Sequence, residues 1–327
     1  MNARPTASVS VDLDNLWSYL RTHGDPGWEA MPSFIGPATE RLLDLLGRHR
    51  LTATVFVVGA DAEREDGAKA VAEIVAAGHE VANHSYLHQP WLHRFSRAQL
   101  DDELARTEEA LVAAGAPKPV GFRGPGFSLT KQMLALLDER GYRYDATTLP
   151  TWIGPLARAY HDRSATAATD GAVRPGEAEP GDLFGPVSDV LAPIRPYRWR
   201  GASGMVELPV TTMPLLRVPI HGSYLLQLHQ VSPRVARAYF ATALRLCRLR
   251  GVQPSLLLHP TDVLDLGEAP GMEFFPGMGV PGAEKAALMD RALTALCRAF
   301  DVVGTGAHAE RVAASVSRTR AVDRLKR

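Results

Sequence analysis

The chain has 327 residues, 46% of them hydrophobic and 22% charged, with 36 basic and 36 acidic side chains, the make-up of an ordinary soluble globular protein. A formal net charge of zero gives nothing that favours a broad nucleic-acid or anionic-membrane surface, and two cysteines are too few for a disulfide framework or a cysteine metal site. No apolar run reaches the ~18 residues of a membrane span, and the first residues lack the apolar core of a secretory signal, so a cytoplasmic chain with no integral membrane segment is expected.

Strand-like runs alternate with helical ones for most of the length, the pattern of βα units around a parallel sheet. The first strand is predicted at residues 7–13 and runs into SVDLDN. Strand side chains alternate faces, so Asp12 and Asp14 point the same way, roughly 7 Å apart. Two carboxylates that close ionise together only beside a cation or solvent; the pair either caps the next element or serves a site. A second strand is predicted at 54–59. A third, at 79–83 after Gly78, leads into His84 and His88 of GHEVANHSYLHQPW. On a helical turn this four-residue spacing puts both imidazoles on one side, able to share a metal. With Asp14 they supply two nitrogens and one oxygen, leaving positions open for water and substrate as catalytic metal sites do.

Ser96 and Gln99 form a capping-box pattern ahead of a helix at 100–114, and Gly115 closes it. Strands are predicted at 120–123, ending on Arg123 in GFRGPGFS, and at 142–145 after Gly141, ending on Asp145 in YRYDATT. Prolines and glycines then break the rhythm from 154 to 201, an irregular insertion that is either a substrate lid or a surface loop. Further strands are predicted at 205–209 and at 255–259, the second ending on His259 in SLLLHPTD. Between them Ser232 and Pro233 open a long helix that Gly251 closes. A short strand begins at Asp301. Cys247 and Cys297 lie in helical apolar patterns and are expected as buried, reduced thiols. Residues 1–306 are expected as one α/β domain, and 307–327 as a basic, solvated terminal helix.

In a barrel of parallel strands the C-terminal strand ends converge on one face, where such folds place their sites. Asp12, Asp14, His84, Arg123, Asp145 and His259 all fall at such ends. The ordered series VDLDN, ATVFVVG, GHEVANHSYLH, FRGPGFS, YDATTLP, VELPV and LLLHPTD resembles the polysaccharide deacetylases with a NodB-homology domain, carbohydrate esterase family four. The resemblance implies a distorted TIM-like (β/α)7 barrel and metal-dependent N-deacetylation of an N-acetylated sugar or glycoconjugate. It implies Asp14, His84 and His88 as metal ligands, Asp12 as general base, Arg123 as the partner that tunes it, and His259 as general acid. The metal implied is Zn²⁺, with Co²⁺, Mn²⁺ or Ni²⁺ as alternatives.

Leu13 separates two acids that are adjacent in many members, and this places the chain nearer a D-x-D subgroup. There the alternative is an allantoinase-like or deformylase-like hydrolase acting on a small non-glycan amide. The acidic-tryptophan motif that tunes the family's catalytic histidine has its nearest counterpart here in Asp145 with Trp152, a supporting role. The partner expected is a glycan or small molecule carrying an N-acyl group, not a nucleic acid. Tyr86, Trp91, Phe127 and Trp152 would either stack on a sugar ring or pack at the rim, and a backbone N–H near Tyr86 would help hold an oxyanion.

Overall fold

The alternation of small polar and apolar residues in TASVSVDL builds the centre of the fold. β1 (Thr6–Leu13) is buried at every position but its first. Ala7, Val9, Val11 and Leu13 join the main apolar core with Leu42, Leu45 and Leu293. Ser8, Ser10 and Asp12 face the other way, where Ser10 Oγ accepts from Arg123 Nη1 at 2.9 Å. One face of this strand therefore packs against helices, while the other makes room for a polar interior.

The computed structural model describes residues 4–153, 190–202, 204–322 and 325. After β1 come α1 (Leu16–His23), α2 (Ile35–Arg48), β2 (Thr54–Val57), α3 (Gly59–Ala62), α4 (Glu65–Ala76), β3 (Glu80–Asn83), α5 (Arg97–Ala113), β4 (Gly121–Phe122), α6 (Lys131–Glu139) and β5 (Tyr144–Asp145). The second part holds β6 (Tyr197–Arg200), β7 (Val206–Glu207), α7 (Gly222–Val231), α8 (Pro233–Arg250), β8 (Ser255–Leu258), α9 (Gly282–Ala299), β9 (Asp301–Val303), α10 (Thr305–Ala313) and β10 (Thr319–Ala321). The capping box of Ser96 and Gln99 is present at α5, and Gly251 ends α8 in the left-handed conformation.

The strands are ordered β10-β6-β7-β5-β4-β3-β2-β1-β8, with β9 on β1. Among the described residues only β6 with β7 is antiparallel. The parallel series β8-β1-β2-β3-β4-β5-β7 is the wall of a distorted barrel. Thr211 bridges its gap: the Thr211 N–H donates to Ser255 O at 3.2 Å, and Thr211 Oγ1 accepts from the Ser255 N–H at 2.5 Å. Register aligns Leu13, Val57, Asn83, Phe122, Asp145 and Glu207 in one tier. The residues that follow, Asp14, His84 and Arg123, therefore leave the sheet at the same level.

Two expectations need correction. The insertion does not run unbroken from 154 to 201: residues 154–189 lie outside the described residues, and the remainder contains β6. The basic tail is not a solvated helix, because α10 leads into β10, which pairs in parallel with β6. Tyr197 and Trp199 of β6 are fully buried, and the tail covers them, with the Arg320 guanidinium 5.3 Å from the Trp199 ring centre. Both cysteines are free thiols, Cys247 buried and Cys297 partly exposed. Among the described residues no helix is long and apolar enough to cross a membrane.

Candidate active site

The turn that carries Asp14 is fixed by its neighbour. Asn15 Oδ1 accepts from the N–H groups of Leu16 (2.8 Å) and Phe34 (3.0 Å), capping α1. Its Nδ2 donates to Asp61 Oδ1 at 2.8 Å, which also accepts from Trp17 Nε1 at 2.8 Å. Asp61 is buried, and burial pushes its carboxyl up to about 6. Tyr19 of α1, five residues beyond Asp14, donates to Asp14 Oδ2 at 3.4 Å.

The two histidines do not share a helical turn. His84 and His88 sit on an irregular loop after β3 that passes through the left-handed region at Ser85 (φ 61°) and His88 (φ 50°). Side chains substitute for helix hydrogen bonds: Asn83 Oδ1 accepts from Ser85 N at 2.8 Å and Ser85 Oγ from His88 N at 3.1 Å. The buried Glu103 carboxylate of α5 accepts from Tyr86 N (2.7 Å) and Leu87 N (3.1 Å). The N–H groups of Tyr86 and Leu87 are thus already committed to Glu103. Arg21 of α1 holds the same loop, donating to the carbonyls of Leu87 and His88 beneath the rings of Trp17, Trp28 and Trp91.

This loop returns both imidazoles to Asp14. Asp14 Oδ1 lies 3.2 Å from His84 Nε2 and 3.1 Å from His88 Nε2. His84 Nδ1 is 2.7 Å from Arg123 O; a carbonyl only accepts, so Nδ1 carries the ring proton and the neutral ring turns its Nε2 lone pair toward Asp14. Asp14 Oδ1 is buried, with no aligned hydrogen bond among the described residues. Ligand atoms of the three residues lie within 4.8 Å of one another. Asp14 Oδ1 and His84 Nε2, electron-rich atoms facing one another without a proton between them, with His88 Nε2 beside them, fit a divalent cation. Burial opposes charge on Asp14, yet the two imidazoles outweigh it and hold its carboxyl well below the usual range. Burial opposes an imidazolium at His84 too, but the Asp12 and Asp14 charges raise its pKa; at His88 burial prevails and lowers it.

Asp12 stands beside this cluster with its two oxygens differently engaged. Oδ1 pairs with Arg123 Nη1 at 2.5 Å, and the guanidinium, fully buried, also donates from Nε to Ala146 O at 2.9 Å. Oδ2 is 3.9 Å from His84 Nε2 and 4.0 Å from His259 Nε2. His259 Nδ1 lies 3.2 Å from Ser223 Oγ, which donates to Asp262 Oδ1 at 2.8 Å, while Asp262 Oδ2 accepts from the His259 N–H at 2.9 Å. Burial pushes the Asp262 carboxyl up, against the pull of His259 and Lys285. Lys285 is itself fully buried, its Nζ bound to the carbonyls of Thr261 and Leu264 at 2.9 Å each.

Asp145 and Trp152, expected in a supporting role to His259, make their hydrogen bonds to other groups. Asp145 accepts from Thr147 Oγ1 at 2.6 Å and lies beside Glu207 on the neighbouring strand, whereas the acid linked to His259 through Ser223 is Asp262. Burial pushes both carboxyls up, Glu207 the further because Asp145 adds to it. Trp152 donates from Nε1 to Leu216 O at 2.6 Å. Of the four aromatic candidates, Tyr86 and Trp91 are buried, at 6% and 7% exposure, and serve packing; Trp152, at 46%, is open to solvent, and Phe127 is half-buried. Sequence reasoning missed Tyr19, Glu103, Glu207, Ser223 and Asp262. Only Asp262, at the capping position of HPTD, carries a local signal.

A family model for polysaccharide deacetylase matches residues 25–144, a span that includes His84, His88 and Arg123. The chain is 35% identical over 105 residues to a chitooligosaccharide deacetylase of Bradyrhizobium sp. (strain ANU 289), covering 32% of this chain and 46% of that protein. It is 26% identical over 173 residues to a peptidoglycan-N-acetylglucosamine deacetylase of Bacillus cereus, covering 52% of this chain and 62% of that one. The chain spans about half the length of the curated relatives it matches. A crystal structure from Mycobacterium smegmatis assigned to the polysaccharide deacetylases shares the fold, with a TM-score of 0.62 and 22% identity over 97% of this chain and 93% of that one.

Proposed function

We propose that this chain, which matches the polysaccharide deacetylase family model over residues 25–144, is a member of that family and hydrolyses a carbon–nitrogen amide bond, N-deacetylating an N-acetylated sugar or glycoconjugate with a divalent metal, Zn²⁺. The observation that carries this reading is the placement of Asp12: its free oxygen lies about equally far from His84 Nε2 and from His259 Nε2, at 3.9 and 4.0 Å. A proton acceptor stands between a cation-binding cluster and a proton donor.

Asp14, His84 and His88 would hold the metal. Bound there, it lowers the pKa of a water and polarises the amide carbonyl. Asp12 Oδ2 accepts the proton of the attacking water, while Arg123 engages Oδ1 and keeps the carboxylate oriented. His259 Nε2 delivers a proton to the leaving nitrogen as the C–N bond breaks. The N-acetylated glycans named for the relatives set the substrate class proposed here. The test is amine release from N-acetyl-chitooligosaccharides and N-formyl sugars by protein stripped with a chelator and reloaded. Free amine and acetate are expected only after Zn²⁺ or Co²⁺ is restored; release undiminished by exhaustive chelation would overturn the reading.

A further inference from the structure

Two groups behind His259, Ser223 and Asp262, form a directional chain of hydrogen bonds with it, and proton counting fixes its sense. Ser223 Oγ carries one hydrogen, and the bond to Asp262 Oδ1 at 2.8 Å uses it. Toward His259 Nδ1, 3.2 Å away, the same oxygen can only accept. Nδ1 therefore keeps its hydrogen whether the ring is charged or neutral, and the proton that comes and goes resides on Nε2, the nitrogen facing Asp12. Asp262 cannot do this alone, because its nearer oxygen is 3.9 Å from Nδ1 and already accepts the His259 backbone N–H.

Resting on the functional reading above, we propose that Ser223 and Asp262 are positioning residues that lock His259 in the Nδ1–H form, so that proton delivery and reloading both occur at Nε2. The packing is built around this carboxylate. Gly222 opens α7 directly over it, and a Cβ at that position would lie 2.1 Å from Asp262 Oδ2, so the absence of a side chain there is what lets the acid reach Ser223. Lys285, from α9, fixes the other side of the turn through the carbonyls of Thr261 and Leu264. In the step itself the C–N bond breaks as Nε2 gives up its hydrogen to the nitrogen; the ring is left neutral with its remaining hydrogen on Nδ1, still bound to Ser223.

Asp262→Asn tests the direction of the chain with little change of shape. The backbone N–H of His259 demands the amide oxygen, which turns the NH₂ group toward Ser223; the hydroxyl must then donate to Nδ1, and the neutral ring is forced into the Nε2–H form. The experiment uses the full chain loaded with Zn²⁺, ¹⁵N-labelled at histidine, with His259→Gln to assign the ring signals. The parent is expected to show neutral His259 as Nδ1–H, Asp262→Asn as Nε2–H, Ser223→Ala as a mixture, and Ser223→Thr as the parent form. With N-acetyl-chitopentaose, kcat should fall about 10- to 100-fold in Asp262→Asn and Ser223→Ala, part of the ~10²–10⁴ typical of acid–base catalysis, with KM within about twofold. Ser223→Thr should restore most of it. A parent tautomer that survives Asp262→Asn, or kcat unchanged in both disruptive variants, overturns the proposal. A parent that releases no amine overturns the functional reading instead, and the ring signals still decide the tautomer.

Discussion

His308 isolates the effect of burial on acid sensitivity, because it lies in the barrel interior away from the candidate site. Its ring is fully buried, with Nε2 3.1 Å from Gln253 Oε1 and Nδ1 2.9 Å from Ser8 Oγ. The amide oxygen only accepts, so Nε2 carries the hydrogen and the Ser8 hydroxyl donates to Nδ1; the neutral ring is satisfied on both sides. Burial, reinforced by Arg311, lowers its pKa from 6.5 to about 3. Between those values the unfolded chain binds one proton more than the folded one, so stability is lost as pH falls below 6.5 toward 3, at about 1.4 kcal/mol per pH unit. From pH 7 to pH 5 this single ring should remove about 2 kcal/mol. Urea unfolding followed by tryptophan fluorescence at several pH values measures it. His308→Gln keeps a hydrogen-bonding group and does not titrate, so its loss over the same interval should be about 2 kcal/mol smaller than the parent's. Identical pH dependence in the two proteins would refute the reasoning. The variant also shows how much of any acid limb in an activity profile is unfolding.

Two further predictions concern the polar interior under the site. Asp12→Asn should lower amide hydrolysis by about 10³-fold or more while Zn²⁺ content, read by elemental analysis, stays nearly intact; parallel loss of both would make Asp12 a ligand. Arg123→Gln should cost about 3–5 kcal/mol in unfolding free energy, because it strands a buried carboxylate without its cation. Adding Asp12→Asn to it should recover part of that loss, and a double variant no more stable than Arg123→Gln would mean the two groups are not coupled.

The fold was legible where one residue's environment is set by its near neighbours. The period-two pattern of TASVSVDL, the apolar run SLLL and the glycines at 78 and 141 are local signals, and the strands they mark are present. β6 and β10 left no such trace: their pairing depends on Trp199 and Tyr197 being covered by a segment more than a hundred residues later, and a basic amphipathic tail reads as solvated until that partner is known. His84 and His88 illustrate the opposite case. The spacing brought them to one ion-sized space, yet through a loop with two left-handed residues, because Glu103 and Arg21, distant in sequence, supply the hydrogen bonds a helix would have made.

The groups that orient His259 were hidden for the same reason. A strand-end histidine becomes legible through the other polar residues at the strand ends, but an orienting serine 36 residues earlier on α7 carries no pattern of its own. Asp145 beside Trp152 is the acid the motif suggests, and register places it at the right tier, but its hydrogen-bond partner there is Thr147, while Asp262 is the acid linked to His259 through Ser223. Tier is readable from strand ends; azimuth is not, because it depends on strand order, and strand order is fixed by which apolar faces pair after the chain has closed. A site built from strand ends can therefore be read from sequence as a set of residues, while the contacts that decide which atom of each carries the proton emerge only from the packed barrel.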